Sequence, residues 1–587
     1  MYCMSIDAHN IWKSCGQPRS GEIFMQMKRA KVAYKNAVRA HQRDNDLYIS
    51  NDLHECLMEK DMVNFWKTWN AKFPHARPPS VIDGTTDESI IAHKFANFFQ
   101  QANDAGEHIS HNADKLAVEL QQYIDCAGMS NLKLLDVETV CKCLARMKKG
   151  KAPGVDGIET EHLLYAHPIV TVLLCLLFNI MLKHGTVPRV FSDGIIVPVL
   201  KDRNGDHTDM NNYRAITLSS CISKLFEMCL IEISSDVLYS SPLQFGFQKK
   251  TGCSHALYSL RNVVDFYCAG GSTVNIALLD MSKAFDRVNH NVLFSVLMKR
   301  GMSPVVLQLL MTWYRYSNAF VRWGTSVSHV FPLTVGVRQG GVLSPLLFNV
   351  YVDSFIQRLK MSNLGCRIGS CYLGCIMYAD DLILAAPSLC VLQQMVNICI
   401  DEASHINMQF NPRKCSVIRF GPRYLKECQP ITMSGKQVAF VSDAKYLGVT
   451  LSSYKKFRTG LRSIKSKFYC AFNGLFHHAS KLRDELVVLH LVTANCKPHL
   501  LYATEALNLN VTQRRSLSHA WQSAVSHIFN VCGDNVQFIC NMTESTSLHD
   551  LLVHRNIEFL DNIQKFHVTH YVLNYLFCSR GKRELNV

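Results

Sequence analysis

Two adjacent carboxylates, Asp380 and Asp381, stand between two short apolar runs in the stretch GCIMYADDLILAA, residues 374–386. This pattern predicts two buried strands joined by a tight turn. A third carboxylate, Asp280, follows the β-rich apolar run 274–279. Three carboxylates from two strand ends can hold two divalent cations, which activate an attacking hydroxyl and stabilise the leaving oxygen in phosphoryl transfer. Because oxygen ligands favour Mg²⁺ over zinc, these residues predict a magnesium site.

The acidic pair alone has a plainer interpretation, since two acidic residues at a turn usually form a solvated corner. Its neighbours in the sequence favour catalysis. They are VPVLKDRNGDHTDMNNYRAITLSS (197–220), LLDMSKAFD (278–286) and GVRQGGVLSPLLFNVYVD (336–353). In this order, and followed by YADD, these motifs resemble the reverse transcriptase of non-LTR (LINE-type) retrotransposons, most closely its CR1- and Rex-like branches. The resemblance runs from about residue 151 to residue 453.

The resemblance implies that Asp280, Asp380 and Asp381 are the metal ligands, with the backbone carbonyl of Met281 completing one metal shell. The implied cofactor is a pair of Mg²⁺ ions, for which Mn²⁺ can substitute. Phe285 takes the position of the steric gate, whose ring closes against the 2′ position of the sugar. The alternative for Phe285 is core packing, the commoner fate of a phenylalanine.

The resemblance also assigns residues that bind the incoming nucleotide. Gln339 would contact the nucleotide and the template, beside Gly340, which lets the backbone approach closely. Lys201 and Arg214 stand at the boundaries of a two-stranded finger, where cations can grip a triphosphate. The family usually has Pro where this chain has Ala215, so the motif around Arg214 departs from it.

Lys414, in the stretch FNPRKCSVIRF (410–420), keeps the spacing of the family. It would be the acid that protonates the departing pyrophosphate. A solvent-facing lysine is an equally good interpretation of this residue.

The elements that position these residues are those of a right-hand polymerase, an α+β fold with fingers, a palm built on an antiparallel sheet, and a helical thumb. We expect a helical linker or N-terminal extension over residues 1–135, fingers and palm over 136–453, and thumb and helical C-terminal region over 454–587. The start of the thumb, SYKKFRTGLRSIKSKF (453–468), predicts a helix with an apolar face beside a basic one. The basic face comprises Lys455, Arg458, Arg462 and Lys465.

Composition agrees with a nucleic-acid partner. The 587 residues are enough for several domains, and 62 Lys and Arg against 47 Asp and Glu give a formal charge of +15. The longest apolar run, 169–182, is too short to cross a bilayer, so no membrane association is expected. An odd number of cysteines, 23, and the absence of an apolar signal core indicate reduced thiols in an intracellular protein, nuclear or cytoplasmic.

The first hypothesis is therefore an RNA-directed DNA polymerase that uses an RNA template, a DNA primer and dNTPs. The second is a catalytically silent element remnant that only binds nucleic acid. The first residues look like the linker that follows the endonuclease domain in such elements, which predicts a copy truncated at its 5′ end.

Overall fold

The computed structural model describes residues 1–73, 81–103, 110–126, 133–202, 205–480, 482, 484–543, 547–565 and 570–581. In chain order the first helices are α1 (Tyr2–Ser14), α2 (Glu22–Met58), α3 (Met62–Lys72), α4 (Glu88–Ala102), α5 (Ser110–Cys126), α6 (Val137–Ala145), α7 (Thr160–Leu164), α8 (Ile169–His184), α9 (Arg189–Ser192), α10 (Cys221–Ile233) and α11 (Cys253–Ala269). They continue with α12 (His290–Lys299), α13 (Pro304–Arg315), α14 (Ser344–Met361), α15 (Leu389–His405), α16 (Leu461–Ala479), α17 (Glu485–Asn495), α18 (Lys497–Leu501), α19 (Val511–Phe529), α20 (Asp534–Thr543), α21 (Leu548–Lys565) and α22 (Tyr571–Leu576).

The strands of the first half are β1 (Asp193–Leu200), β2 (Tyr213–Leu218), β3 (Val274–Asp280), β4 (Asn318–Trp323), β5 (Ser326–Val327) and β6 (Phe331–Pro332). The later ones are β7 (Arg367–Ile368), β8 (Cys371–Tyr372), β9 (Cys375–Tyr378), β10 (Asp381–Ala386), β11 (Ser416–Phe420), β12 (Ile431–Met433), β13 (Lys436–Phe440), β14 (Asp443–Tyr446) and β15 (Val449–Ser452). The chain divides into two compact units, residues 1–77 with 461–557 and residues 78–460 with 558–587.

The first unit is helical where the structure describes it, and its N-terminal helices pack against helices from late in the chain. His54 on α2 makes a 2.6 Å contact through Nδ1 with the carboxylate of Asp484, the N-cap of α17. Phe65 on α3 is fully buried and meets the ring of His490 edge-on at 5.0 Å. Trp521 on α19 lies in the core of the same unit. Apolar faces on helices far apart in sequence thus supply one shared core.

The second unit contains two larger sheets. In the first, the strands follow the order β2-β1-β4-β5, with β6 also paired to β4. Helix α4 covers this sheet, because Phe95 stacks on Trp323 at 5.2 Å and meets Tyr213 edge-on at 5.0 Å. Strands β1 and β2 are antiparallel as expected from the sequence, but the predicted two-stranded finger is wrong in extent, because β1 also pairs in parallel with β4 and the hairpin is the edge of this larger sheet.

The second larger sheet has the order β12-β13-β11-β3-β10-β9. The adjacent pairs β11–β3, β3–β10 and β10–β9 are antiparallel, whereas β13 pairs with β11 in parallel. The central strand β3 is buried almost throughout, as is β10, because helices such as α11 and α15 pack against the sheet. This is the palm sheet, and the predicted α+β fold class is confirmed.

The expected basic face of the thumb helix is wrong in part. Helix α16 begins only at Leu461, so Lys455 and Arg458 lie in the irregular segment before it, while Arg462 and Lys465 are helical. Gly460 separates the two pairs, and glycine is a poor helix former. Residues 454–459 instead pair with strands, since Tyr454 bridges Phe420 on the palm strand β11 and Thr459 bridges Leu451 on β15, which pairs with β14 in a separate small sheet. Among the described helices, none is both long and apolar enough to cross a membrane.

Candidate active site

The turn between β9 and β10 carries the acidic pair. Both strands are almost entirely buried, and they are joined by Ala379 and Asp380, with Asp381 as the first residue of β10. Ala379 has a φ of 54°, a left-handed conformation that an L-residue adopts at a cost. The apolar strands therefore anchor the hairpin in the sheet, and the carboxylates lie at its tip.

The third carboxylate lies opposite the pair. Strands β3 and β10 are antiparallel with Asp280 directly across from Asp381. Directly opposed residues project from the same face of a sheet, with Cβ atoms about 5 Å apart. The register therefore brings Asp280 and Asp381 together on one face, with Asp380 at the adjacent turn.

The electrostatics of the three carboxylates reflect this proximity. Burial, Asp380 and Asp280 together raise the pKa of Asp381 to about 6. Burial also raises the pKa of Asp380, with a further contribution from Asp280, whereas Arg214 lowers it. Burial raises the pKa of Asp280, and the positive charge of Lys414 lowers it. Each carboxylate would therefore be stabilised by positive charge, which is the requirement that divalent cations meet.

The three carboxylates supply the oxygen ligands that hard divalent cations prefer, but their side chains do not point toward one common centre. Among the described residues, no three His, Cys, Asp or Glu side chains form a group that could already hold a metal ion. The register places the backbones of Asp280 and Asp381 opposite each other, and this pairing does not by itself fix where their carboxylate oxygens lie.

The backbone of Met281 presents a further oxygen. Met281 and Phe410 form an antiparallel bridge whose hydrogen bonds run through the flanking residues, from Asn411 N–H to Asp280 O (2.9 Å) and from Ser282 N–H to Gln409 O (2.8 Å). In such a pair the central residue directs its own N–H and C=O away from the partner strand. The Met281 carbonyl therefore points to the side of β3 on which β10 and its acidic turn lie.

Several cations surround the carboxylates. Lys414 is largely exposed and lies 4.0 Å from Asp280, measured from Nζ to Oδ2. Lys201 follows β1 and donates from Nζ to the carbonyl of Asn211 at 2.8 Å. Partial enclosure lowers the pKa of Lys201 and the charge of Asp286 raises it, while the charges of Lys414, Arg214 and Lys283 lower it further. The structure thus brings the fingers cations and Lys414 into one neighbourhood, which also contains the carboxylate of Asp286.

Phe285 and Gln339 are also brought together. The ring of Phe285 is half-buried and stacks on Phe348 with centroids 4.5 Å apart and planes 13° from parallel. Gln339 donates from Nε2 to Asp286 Oδ1 at 2.7 Å, and its backbone carbonyl accepts from Thr217 N–H at 2.7 Å. Gly340 permits this approach, because a Cβ there would lie 2.5 Å from the Thr217 carbonyl.

Sequence reasoning missed two residues of this neighbourhood. Asp286 is the partner of Gln339, and burial raises the pKa of its carboxyl. Lys283 is exposed in a left-handed conformation with φ 49°, and its ammonium lies 5.1 Å from the ring centroid of Phe98. Both belong to the same motif as Asp280, so their nearness in sequence was the available signal. Arg338, beside Gln339, is by contrast half-buried and donates to the carbonyls of Phe191 and Ser192.

A family model described as reverse transcriptase (RNA-dependent DNA polymerase) matches residues 200–451. A protein of Drosophila funebris named RNA-directed DNA polymerase from mobile element jockey is 26% identical over 57% of this chain and 37% of that protein. The Drosophila melanogaster protein of the same name is 22% identical over 77% of this chain and 50% of that protein. The Pol polyprotein of retrotransposable element R2 from Nasonia vitripennis is 25% identical over 67% of this chain and 38% of that protein.

The chain therefore spans half or less of the length of these relatives. Among solved structures, telomerase from Candida albicans in complex with a fragment of telomeric RNA matches at a TM-score of 0.34 and 10% identity, over 66% of this chain and 65% of that chain. The matched family and the named relatives agree with each other, so residues 200–451 are a reverse transcriptase domain, similar in sequence to proteins of non-LTR retrotransposons.

Proposed function

We propose that this chain is an RNA-directed DNA polymerase of a mobile element, which extends a DNA primer on an RNA template. The observation that carries the proposal is the register that sets Asp280 opposite Asp381, with Asp380 at the adjoining turn. A protein that only bound nucleic acid would gain nothing from three partly desolvated carboxylates whose pKa values are all raised by burial. Desolvated like charges are costly, and such costs are typical of functional sites.

In this proposal Asp280, Asp380 and Asp381, together with the Met281 carbonyl, hold two Mg²⁺ ions, for which Mn²⁺ can substitute. Such a pair of ions supplies Lewis-acid activation of a hydroxyl and neutralises charge on a leaving phosphate. The raised pKa values and the oxygen-only donor set support this choice of ion.

The residues around the carboxylates orient the nucleotide. Lys201 and Arg214 grip the triphosphate of a dNTP, and the clustering of cations on this side of the site supports that role. Gln339, steadied by Asp286, contacts the nucleotide and template, and Phe285 excludes the 2′-hydroxyl. Lys414 protonates the departing pyrophosphate, a role supported by its 4.0 Å distance from Asp280 and its exposure to solvent.

The test is primer extension on an RNA template with Mg²⁺, comparing wild type, Asp380→Asn and a control, Asp401→Asn. Asp401 is an exposed carboxylate on α15 that pairs with Arg358 at 2.6 Å, so the control removes a carboxylate outside the site. We expect wild type and the control to extend the primer, and Asp380→Asn to lose extension while still binding template-primer. A folded wild type that binds template-primer but never extends it would contradict the proposal and favour a silent nucleic-acid-binding remnant.

A further inference from the structure

The turn that carries Asp380 is supported by a chain segment from outside the β9–β10 hairpin. Residues 243–245 run alongside β9, with Met377 N–H donating to Leu243 O and Phe245 N–H donating to Met377 O, both at 2.8 Å. The pairing is parallel and places Gln244 beside Met377. This segment therefore acts as a short additional strand next to β9, and it ends at the acidic turn between β9 and β10.

The side chain of Gln244 binds the turn directly. It is 1% exposed, and its Oε1 accepts from Ala379 N–H and from Gly246 N–H, both at 2.9 Å. Its Nε2 donates to the Ala379 carbonyl at 3.2 Å. One amide thus satisfies both backbone groups of Ala379, the residue whose left-handed conformation directs the chain into Asp380. Strained residues of this kind persist when their surroundings hold them firmly.

The close approach of this segment to the turn requires a glycine at position 246. A Cβ at Gly246 would lie 2.4 Å from the backbone nitrogen of Ala379, so any larger residue would push the segment away from the turn. The carbonyl of Gly246 accepts from Nδ2 of Asn349 on α14 at 2.8 Å. The support for the turn is therefore itself anchored to a helix of the palm.

We propose that Gln244 is a positioning residue for the polymerase reaction. It fixes the peptide groups on both sides of Ala379, and through them the direction in which Asp380 and Asp381 present their carboxylates. The inference rests on the proposed function, because it assigns Gln244 a role toward the carboxylates of that site. The amide bonds neither carboxylate, so its effect passes through the backbone of the turn.

The experiment compares Gln244→Leu with a matched control, Asn179→Leu. Asn179 on α8 makes the same kind of clamp, since its Oδ1 accepts from Leu135 N–H at 2.8 Å and its Nδ2 donates to Leu135 O at 2.9 Å. Both variants remove an amide that bonds the N–H and C=O of one residue. Only the first clamp involves the acidic turn, so a general loss of stability appears in both variants and a positioning effect in one.

Three quantities are measured at a temperature where all proteins are folded: kcat for primer extension, Kd for template-primer, and Mn²⁺ affinity without nucleotide by electron paramagnetic resonance. In Gln244→Leu we expect kcat to fall on the order of 10- to 100-fold, as for other small misplacements of reacting groups. Its Mn²⁺ affinity should weaken severalfold, and its Kd for template-primer should stay unchanged. Asn179→Leu should match wild type in all three quantities.

Gln244→Glu provides a second variant in case the leucine variant does not fold. A protonated carboxyl can reproduce the donor and both acceptor contacts, whereas a carboxylate cannot donate to the Ala379 carbonyl. The ratio of mutant to wild-type kcat should therefore rise as the pH falls. A folded Gln244→Leu with wild-type kcat and Mn²⁺ affinity, or losses equal to those of Asn179→Leu, would overturn the inference. If wild type itself never extends a primer, the proposed function fails, and the Mn²⁺ comparison still decides the role of Gln244.

Discussion

Asp381→Asn should stabilise the metal-free protein at neutral pH, and the gain should disappear in acid. Burial and the charges of Asp380 and Asp280 raise the pKa of Asp381 from 3.8 to about 6. Between these two values the folded protein binds more protons than the unfolded chain, so stability falls as the pH rises through that window. A tenfold change in proton affinity is worth about 1.4 kcal/mol, so two decades correspond to roughly 3 kcal/mol as an upper bound. Partial solvent exposure reduces the expected gain to roughly 1 to 3 kcal/mol.

The assay is urea unfolding in the presence of a chelator, at about pH 4 and about pH 7.5, on wild type, Asp381→Asn and Asp401→Asn. We expect the first variant to exceed wild type at the higher pH and to equal it at the lower pH, because asparagine resembles a protonated aspartate. Added Mg²⁺ should stabilise wild type more than Asp381→Asn. A difference that does not change with pH, or one that also appears in Asp401→Asn, would refute the reasoning.

Two further predictions concern the sugar and the nucleic-acid backbone. If the ring of Phe285 is a gate, Phe285→Val should admit ribonucleotides and so lower the ratio of dNTP to rNTP extension efficiency. If the ring only packs on Phe348, the same change should leave that ratio unchanged and destabilise the palm by roughly 1 to 4 kcal/mol. The side chains of Lys455, Lys456 and Arg458 are exposed and therefore free to contact phosphates. Replacing all three by alanine should flatten the slope of log affinity against log salt by roughly two to three, at about 0.9 for each phosphate that is no longer neutralised. An unchanged slope would assign phosphate binding to other residues.

The sequence alone was sufficient for the α+β class and for the identity of the reverse transcriptase domain. Apolar runs that end in acidic residues have few stable solutions other than buried strands with carboxylates at their ends, and β3, β9 and β10 follow those runs closely. The roles of the individual site residues stay predictions. Motif order selected Asp280, Asp380 and Asp381, but it carried no information on which residues face each other across the sheet.

Tertiary structure decided the features that depend on contacts between distant segments. The register of Asp280 against Asp381 is set by strand pairing between segments far apart in the chain, and the Gln244 clamp depends on a close approach to a turn 135 residues away. Arg338 stands next to Gln339 in the same motif, yet it is half-buried and its guanidinium donates to backbone carbonyls of another segment.

The start of the thumb helix is another feature that the sequence alone did not determine. The 3.6-residue periodicity of 453–468 predicted one continuous helix, whereas the chain bridges strands β11 and β15 until Thr459 and becomes helical at Leu461. Local periodicity reports which faces of a segment are apolar, and it does so equally for a helix and for an irregular segment that packs on a sheet. Which of the two forms depends on the partners that folding brings near, and those partners are known only from the tertiary structure.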